Sequence, residues 1–190
     1  STNYWKRSPY KGLLHHISKK KQTQQRIISL KTPKEIPKTI TQEEGSQILK
    51  VCQNKRDYFL VSLLYETGLR VGQALSLHHE DIITWDNEIR LQYRQNSINE
   101  SYCKKKKPNI IHVSPQLISR YNEYIDSLAM HYHPDYVFVD LTRYQPLEYQ
   151  AVHKIFQRLS KRSGIRVRPH MLRHTHATEL IQLGWDSSFV

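Results

Sequence analysis

Up to about residue 40 the chain shows little apolar periodicity. "HHISKKKQTQQR" and "KTPKEIPKTI" are rich in Lys, Gln, Ser and Pro, and Pro33 and Pro37 oppose a continuous helix. Periodic order begins at "TITQEEGSQILKVC", where Thr41 and Glu44 match a capping box and predict a helix running towards Cys52. In "KRDYFLVSLLYETG", Phe59, Leu60, Leu63 and Leu64 share one helical stripe, which Gly68 terminates. A short helix, "VGQALSL", follows. "IITW" and "EIRLQY" flank Asp86-Asn87 and predict a β-hairpin, with "NIIHVS" as a third strand reached through a long Lys-rich connection. Ser114 and Pro115 open a helix carrying Leu117, Ile118, Tyr121, Tyr124, Ile125 and Leu128. "YVFVD" is short and extended, and "EYQAVHKIFQRLSKRSG" is a helix closed by Gly164. The last helix starts at Pro169 and stops at Gly184. The pattern predicts a mainly α fold with one small antiparallel β-sheet. It divides into a basic linker over residues 1–40 and a folded domain over 41–190.

Charge changes this picture more than size does. The 190 residues carry 29 Lys and Arg against 17 Asp and Glu, a formal net charge of +12, with 11 histidines besides. Such an excess favours polyanions and makes nucleic acid the default partner. Cys52 and Cys103 are too few and too far apart for a disulfide framework or a Cys-type zinc site, which suits reduced thiols in the cytoplasm. No apolar run reaches the length of a bilayer span and no signal peptide opens the chain, so no membrane partner is expected. The start at "STNYWKRSPY", without Met, is expected to reflect a chain cut from a longer one.

Three stretches could carry chemistry. In "RPHMLRHTHATEL", His170 and Arg173 are three apart and share a helix face. Pro169 sets them at a helix start, where free N–H groups and the macrodipole suit an anion. An arginine fork can grip two non-bridging phosphate oxygens while a histidine moves protons. Two plainer alternatives stand beside this: His170 caps and packs while Arg173 pairs with a carboxylate such as Glu179, or His170 and His174 form a zinc pair at i, i+4. The zinc alternative lacks the glutamate of H-E-x-x-H and an evident third ligand. In "YETGLRVGQALSL", Arg70 follows the break at Gly68. Among Leu69, Val71, Ala74 and Leu75 it either snorkels to solvent or is held against the core, where it needs an anionic partner. In "CKKKKPNIIHV", Lys104, Lys105, Lys106 and Lys107 favour DNA generally, and a lysine on a hairpin tip can also donate a proton in a DNA groove.

Taken in order, "TGLRVGQALSLHHEDI", a Lys-bearing hairpin ending "IIHVSP", and "PHMLRHTHATELIQLG" resemble the catalytic domain of tyrosine recombinases, the phage and transposon integrase family. The resemblance runs from about Thr41 to the end of the chain. It implies that Arg70 and Arg173 clamp the scissile phosphate and that His170 assists proton transfer. It implies that a hairpin lysine, Lys104 or else Lys105, protonates the departing 5′ oxygen. Lys105, Lys106, Lys107 and Arg168 would contact DNA. The nucleophile would be a tyrosine forming a 3′-phosphotyrosyl link, which needs neither metal nor ATP and no other cofactor. The partner implied is a double-stranded DNA recombination site, worked on by a homo-tetramer of the full-length protein.

The chain departs from the family pattern in three ways. Gln73 stands where the family has glutamate; it can hydrogen-bond but cannot ionise. None of the 12 tyrosines stands in the nucleophile's place, so that tyrosine is expected beyond Val190. The family's N-terminal core-binding domain is represented only by its tail and linker. Two other functions fit the same scaffold: a non-catalytic DNA-binding module, supported by Gln73 and the expected absence of the tail, and a type IB topoisomerase, which would act without a specific site.

Overall fold

In the computed structural model, which describes residues 38–92, 94, 109–128 and 135–184, helices lead into a small sheet and helices complete the fold. The order is α1 (Gln42–Lys50), α2 (Lys55–Thr67), α3 (Val71–Leu75), a single 3₁₀ turn (His79–Asp81), β1 (Ile82–Ile83), β2 (Glu88–Leu91), β3 (Asn109–His112), α4 (Pro115–Leu128), α5 (Tyr149–Ser163) and α6 (Pro169–Gln182). The capping box at α1 is formed as expected: Glu44 N–H donates to Thr41 Oγ1 at 3.2 Å, and Thr41 N–H donates to Glu44 Oε2 at 2.9 Å. The helix stops at Lys50, two residues short of Cys52.

α2 is buried around most of its circumference, not along one stripe. Beyond Phe59, Leu60, Leu63 and Leu64, the chain also buries Val61, Ser62, Arg56 and Asp57. The cause is crowding: α2 runs through the middle of the fold and packs against α1, α3, α4 and α6. A helix contacted from several sides has no solvent face to keep polar. Phe59 anchors an aromatic cluster, its ring 5.6 Å from Tyr121, 6.1 Å from Tyr124 and 5.4 Å from Phe138. The charges at the start of α2 survive burial because they are fully bonded. Arg56 Nε and Nη2 donate to Asp57 Oδ1 at 2.9 and 2.7 Å, and Nη1 donates to the Val139 carbonyl at 3.1 Å.

The sheet has the order β1-β2-β3 and is antiparallel throughout, pairing Ile82 with Ile89 and Ile89 with Ile111. Its strands are shorter than the hydrophobic pattern suggested, because Thr84 and Trp85 belong to the turn that Asn87 closes at φ 52°. Ile82, Ile89 and Leu91 face the core, while Glu88 on the other face meets Arg90 at 3.3 Å and His112 at 3.6 Å. "YVFVD" is extended as expected: Val137 N–H donates to the Leu77 carbonyl, and Leu147 N–H donates to that of Phe138.

α6 is tied to the start of the domain. The buried Thr175 Oγ1 accepts the Ile40 N–H at 2.8 Å and donates to the Met171 carbonyl at 2.9 Å. Valine at this position matches the shape but strands the Ile40 N–H. Thr175→Val therefore costs about 1–3 kcal/mol, read as a lower urea midpoint at unchanged slope.

Candidate active site

The break between α2 and α3 is where the two arginines meet. Gly68 ends α2 in the left-handed region at φ 60°, its N–H donating to the Leu64 carbonyl at 3.1 Å. Two residues on, Arg70 precedes α3, and its N–H donates to Gln73 Oε1 at 3.0 Å. The buried Gln73 thus accepts the bond that a glutamate would accept there, without carrying charge. The Arg70 side chain is exposed.

Arg173 approaches the same break from α6. Arg168 occupies the position before that helix, with Pro169 in its first turn, which places His170 near the helix start and Arg173 about one turn further along. Arg173 Nη1 donates to the Gly68 carbonyl at 2.5 Å. The carboxylate of Glu179, the alternative partner for Arg173 in the sequence, instead accepts from Tyr65 Oη at 2.9 Å. That plainer alternative is therefore not realised with Glu179, because Tyr65 holds that carboxylate and Arg173 turns towards the break.

These cations act on one another. Desolvation, and then the charge of Arg70, push the Arg173 pKa below its ordinary value. Desolvation also lowers the pKa of His174, with His170 and Arg173 adding to the effect. The His170 and His174 rings meet edge to face with centroids 4.9 Å apart. Among the described residues no carboxylate forms an ion pair with Arg70 or Arg173. Two neighbouring guanidiniums without a counter-charge create a standing positive potential, and an anion held by both would relieve it. The same described residues contain no group of three or more His, Cys, Asp and Glu placed to hold a metal ion.

Of the residues singled out in the sequence, the structure brings Arg70 and Arg173 to one break and bonds the Gln73 side chain to the Arg70 N–H. His170 and Arg168 are exposed at the start of α6. Lys104, Lys105, Lys106 and Lys107 lie outside the described residues. One surface escaped the sequence reading. α5 buries Val152, Ile155, Phe156 and Leu159, while His153, Lys154, Arg158, Lys161 and Arg162 on its outer side are all exposed with no acid among them. The signal was present in "HKIFQRLSKR" as cations at helical spacing opposite the apolar stripe.

Fold and site together define a basic, mainly helical domain in which two arginines come to one break between helices. The phage integrase family model matches residues 38–190. Transposase A from transposon Tn554 of Staphylococcus aureus is 44% identical over 185 residues, which cover 95% of this chain and 51% of that protein. Tyrosine recombinase XerA of Pyrococcus furiosus is 30% identical over 166 residues, 85% of this chain and 54% of the relative. The crystal structure of XerA recombinase has a TM-score of 0.68 at 26% identity, over 85% of this chain and 55% of that one. The Tn1549 transposon integrase, solved with a circular intermediate DNA, shares the fold with a TM-score of 0.69 at 17% identity, over 83% of this chain and 57% of that one. The chain belongs to the phage integrase family of tyrosine recombinases, and it spans about half the length of the curated relatives it matches. No helix among the described residues is long and apolar enough to cross a membrane.

Proposed function

We propose that this chain carries the phosphate-binding part of a site-specific DNA recombinase, transposase-like in its role, that cuts and rejoins DNA through a 3′-phosphotyrosyl intermediate. The observation that carries the proposal is the pairing of Arg70 and Arg173 without a carboxylate. Their two forks grip the non-bridging oxygens of the scissile phosphate and stabilise the charge that grows there as the nucleophile attacks. His170, at the exposed start of α6, moves the proton of the attacking or departing oxygen, and Lys104 protonates the departing 5′ oxygen. Bond energy is kept in the phosphotyrosyl link, so rejoining draws on no ATP.

The tyrosine itself is assigned to none of those described. Tyr65, Tyr121 and Tyr124 have hydroxyls pushed up to about 12 by burial, which disfavours the phenolate. The basic outer side of α5, with Arg168 and Lys105 to Lys107, forms the proposed track for double-stranded DNA. The proposed assembly is a homo-tetramer on DNA, and the proposed compartment is the cytoplasm, where a thiol such as Cys52 stays reduced.

A nicked suicide substrate tests the reaction in the protein as its gene encodes it. The expected product is a denaturation-resistant adduct joining a DNA 3′ end to a tyrosine. Tight binding of the site without any adduct would support the non-catalytic module, and relaxation of arbitrary supercoiled plasmid would support the topoisomerase. The DNA track makes its own prediction. Replacing Lys154, Arg158 and Lys161 by Gln should flatten the dependence of log affinity on log salt by about 0.9 for each phosphate that is no longer neutralised. The same holds for Lys104 to Lys107, and an unchanged slope removes that group from the interface.

A further inference from the structure

We infer that His176 is a positioning residue for the phosphate clamp, acting on both arginines through Gly68; the inference rests on the proposed recombinase chemistry. His176 lies three residues after Arg173, so both side chains leave the same side of α6. Its ring lies on Gly68 so closely that a Cβ there would meet His176 Cδ2 at 2.5 Å and Cγ at 3.0 Å. Gly68 is therefore held in three ways. Its N–H is tied to Leu64, its carbonyl takes Arg173, and its α-carbon is covered by the imidazole. Arg70, two residues on, inherits whatever orientation that glycine is given. One ring thus braces the peptide that ligates one arginine and launches the other.

The groups facing His176 make it a packing element and not an ion-pair partner. Glu179 is bonded to Tyr65, and Glu66 accepts the N–H and hydroxyl of Ser114 at the start of α4. Arg173 adds a like charge to any imidazolium. Desolvation, opposed by Glu179 and reinforced by Arg173, leaves the His176 pKa below its ordinary value. A neutral flat ring is what the contact uses, so phenylalanine should serve in its place.

The test compares His176→Ala, His176→Phe and the unsubstituted protein as its gene encodes it. Single-turnover cleavage at saturating DNA and DNA affinity are measured on the same preparations. His176→Ala should slow cleavage about ten- to a hundredfold, the scale of a small misplacement of catalytic groups, with affinity within about twofold. His176→Phe should restore cleavage to within about twofold of the unsubstituted protein. If His176→Ala does not fold, His176→Leu, which fills volume without a flat ring, replaces it and should show the same slowing. Native cleavage by His176→Ala or His176→Leu, or a His176→Phe variant as slow as either, overturns the inference alone. No cleavage by the unsubstituted protein overturns the recombinase chemistry, and this inference with it.

Discussion

Arg70→Ala and Arg173→Ala should each slow cleavage of a cognate DNA site by about 10²–10³-fold, the loss typical of removing one preorganised donor from a transition-state site. Affinity for the same DNA should change little, because most of the DNA charge is met elsewhere on the basic surface. Single-turnover cleavage and fluorescence anisotropy on one preparation separate the two quantities. The variants should differ in stability. Arg173→Ala also strands the buried Gly68 carbonyl, which is left without its donor at a cost of about 1–3 kcal/mol. Among the described residues the exposed Arg70 side chain has no such carbonyl partner, so Arg70→Ala should unfold at nearly the unsubstituted midpoint. Lysine at either position keeps the charge but loses the fork, and should recover only part of the rate. Equal loss of binding and cleavage would mean that the arginines merely hold DNA.

Gly68→Ala should be the most damaging substitution for the fold around the site. A side chain at φ 60° costs about 1–2 kcal/mol by itself. The added Cβ also meets His176 at 2.5 Å, and overpacking of this kind costs about 1–3 kcal/mol more. The sum, roughly 2–5 kcal/mol, should appear as a large drop in the urea midpoint. The two contributions can be separated. Alanine at His176 in the Gly68→Ala background removes the clash but leaves the strained backbone. The pair should therefore couple, with an interaction energy of about 0.5–3 kcal/mol. Additive effects would show that the ring and the glycine do not press on each other.

Elements whose cause is local were legible in the sequence. The Thr41–Glu44 box, the terminators Gly68 and Gly164, and the apolar stripes of α4 and α5 follow from spacing, and they recur in the structure. Features created by distant partners were not. Nothing in "KRDYFL" announces that Arg56 and Asp57 go into the core, since their burial depends on the Val139 carbonyl arriving from a remote segment. The 3₁₀ turn at His79–Asp81 rests on Asp81, whose Oδ2 accepts the His78 N–H while Arg94 grips both carboxylate oxygens at 2.7 and 2.8 Å. The motif in α6 singled out Arg173 but left its neighbour open, a carboxylate such as Glu179 being only the plainer alternative. Arg173 bonds Gly68 and leaves Glu179 to Tyr65, a choice that helix spacing cannot express. Nor does spacing reveal what His176 packs on, because Gly68 sits at the end of a different helix.

In the proposed chemistry Arg70 and Arg173 answer the negative charge of the scissile phosphate. That role is tested most directly by removing the charge from the DNA. In a suicide substrate whose scissile phosphate is a methylphosphonate, a methyl group replaces one non-bridging oxygen and the single negative charge shared by the two is lost, so neither arginine has a charge to answer. The cleavage defects of Arg70→Ala and Arg173→Ala should shrink by at least about tenfold on this substrate relative to ordinary DNA. Defects of the same size on both substrates would contradict that role.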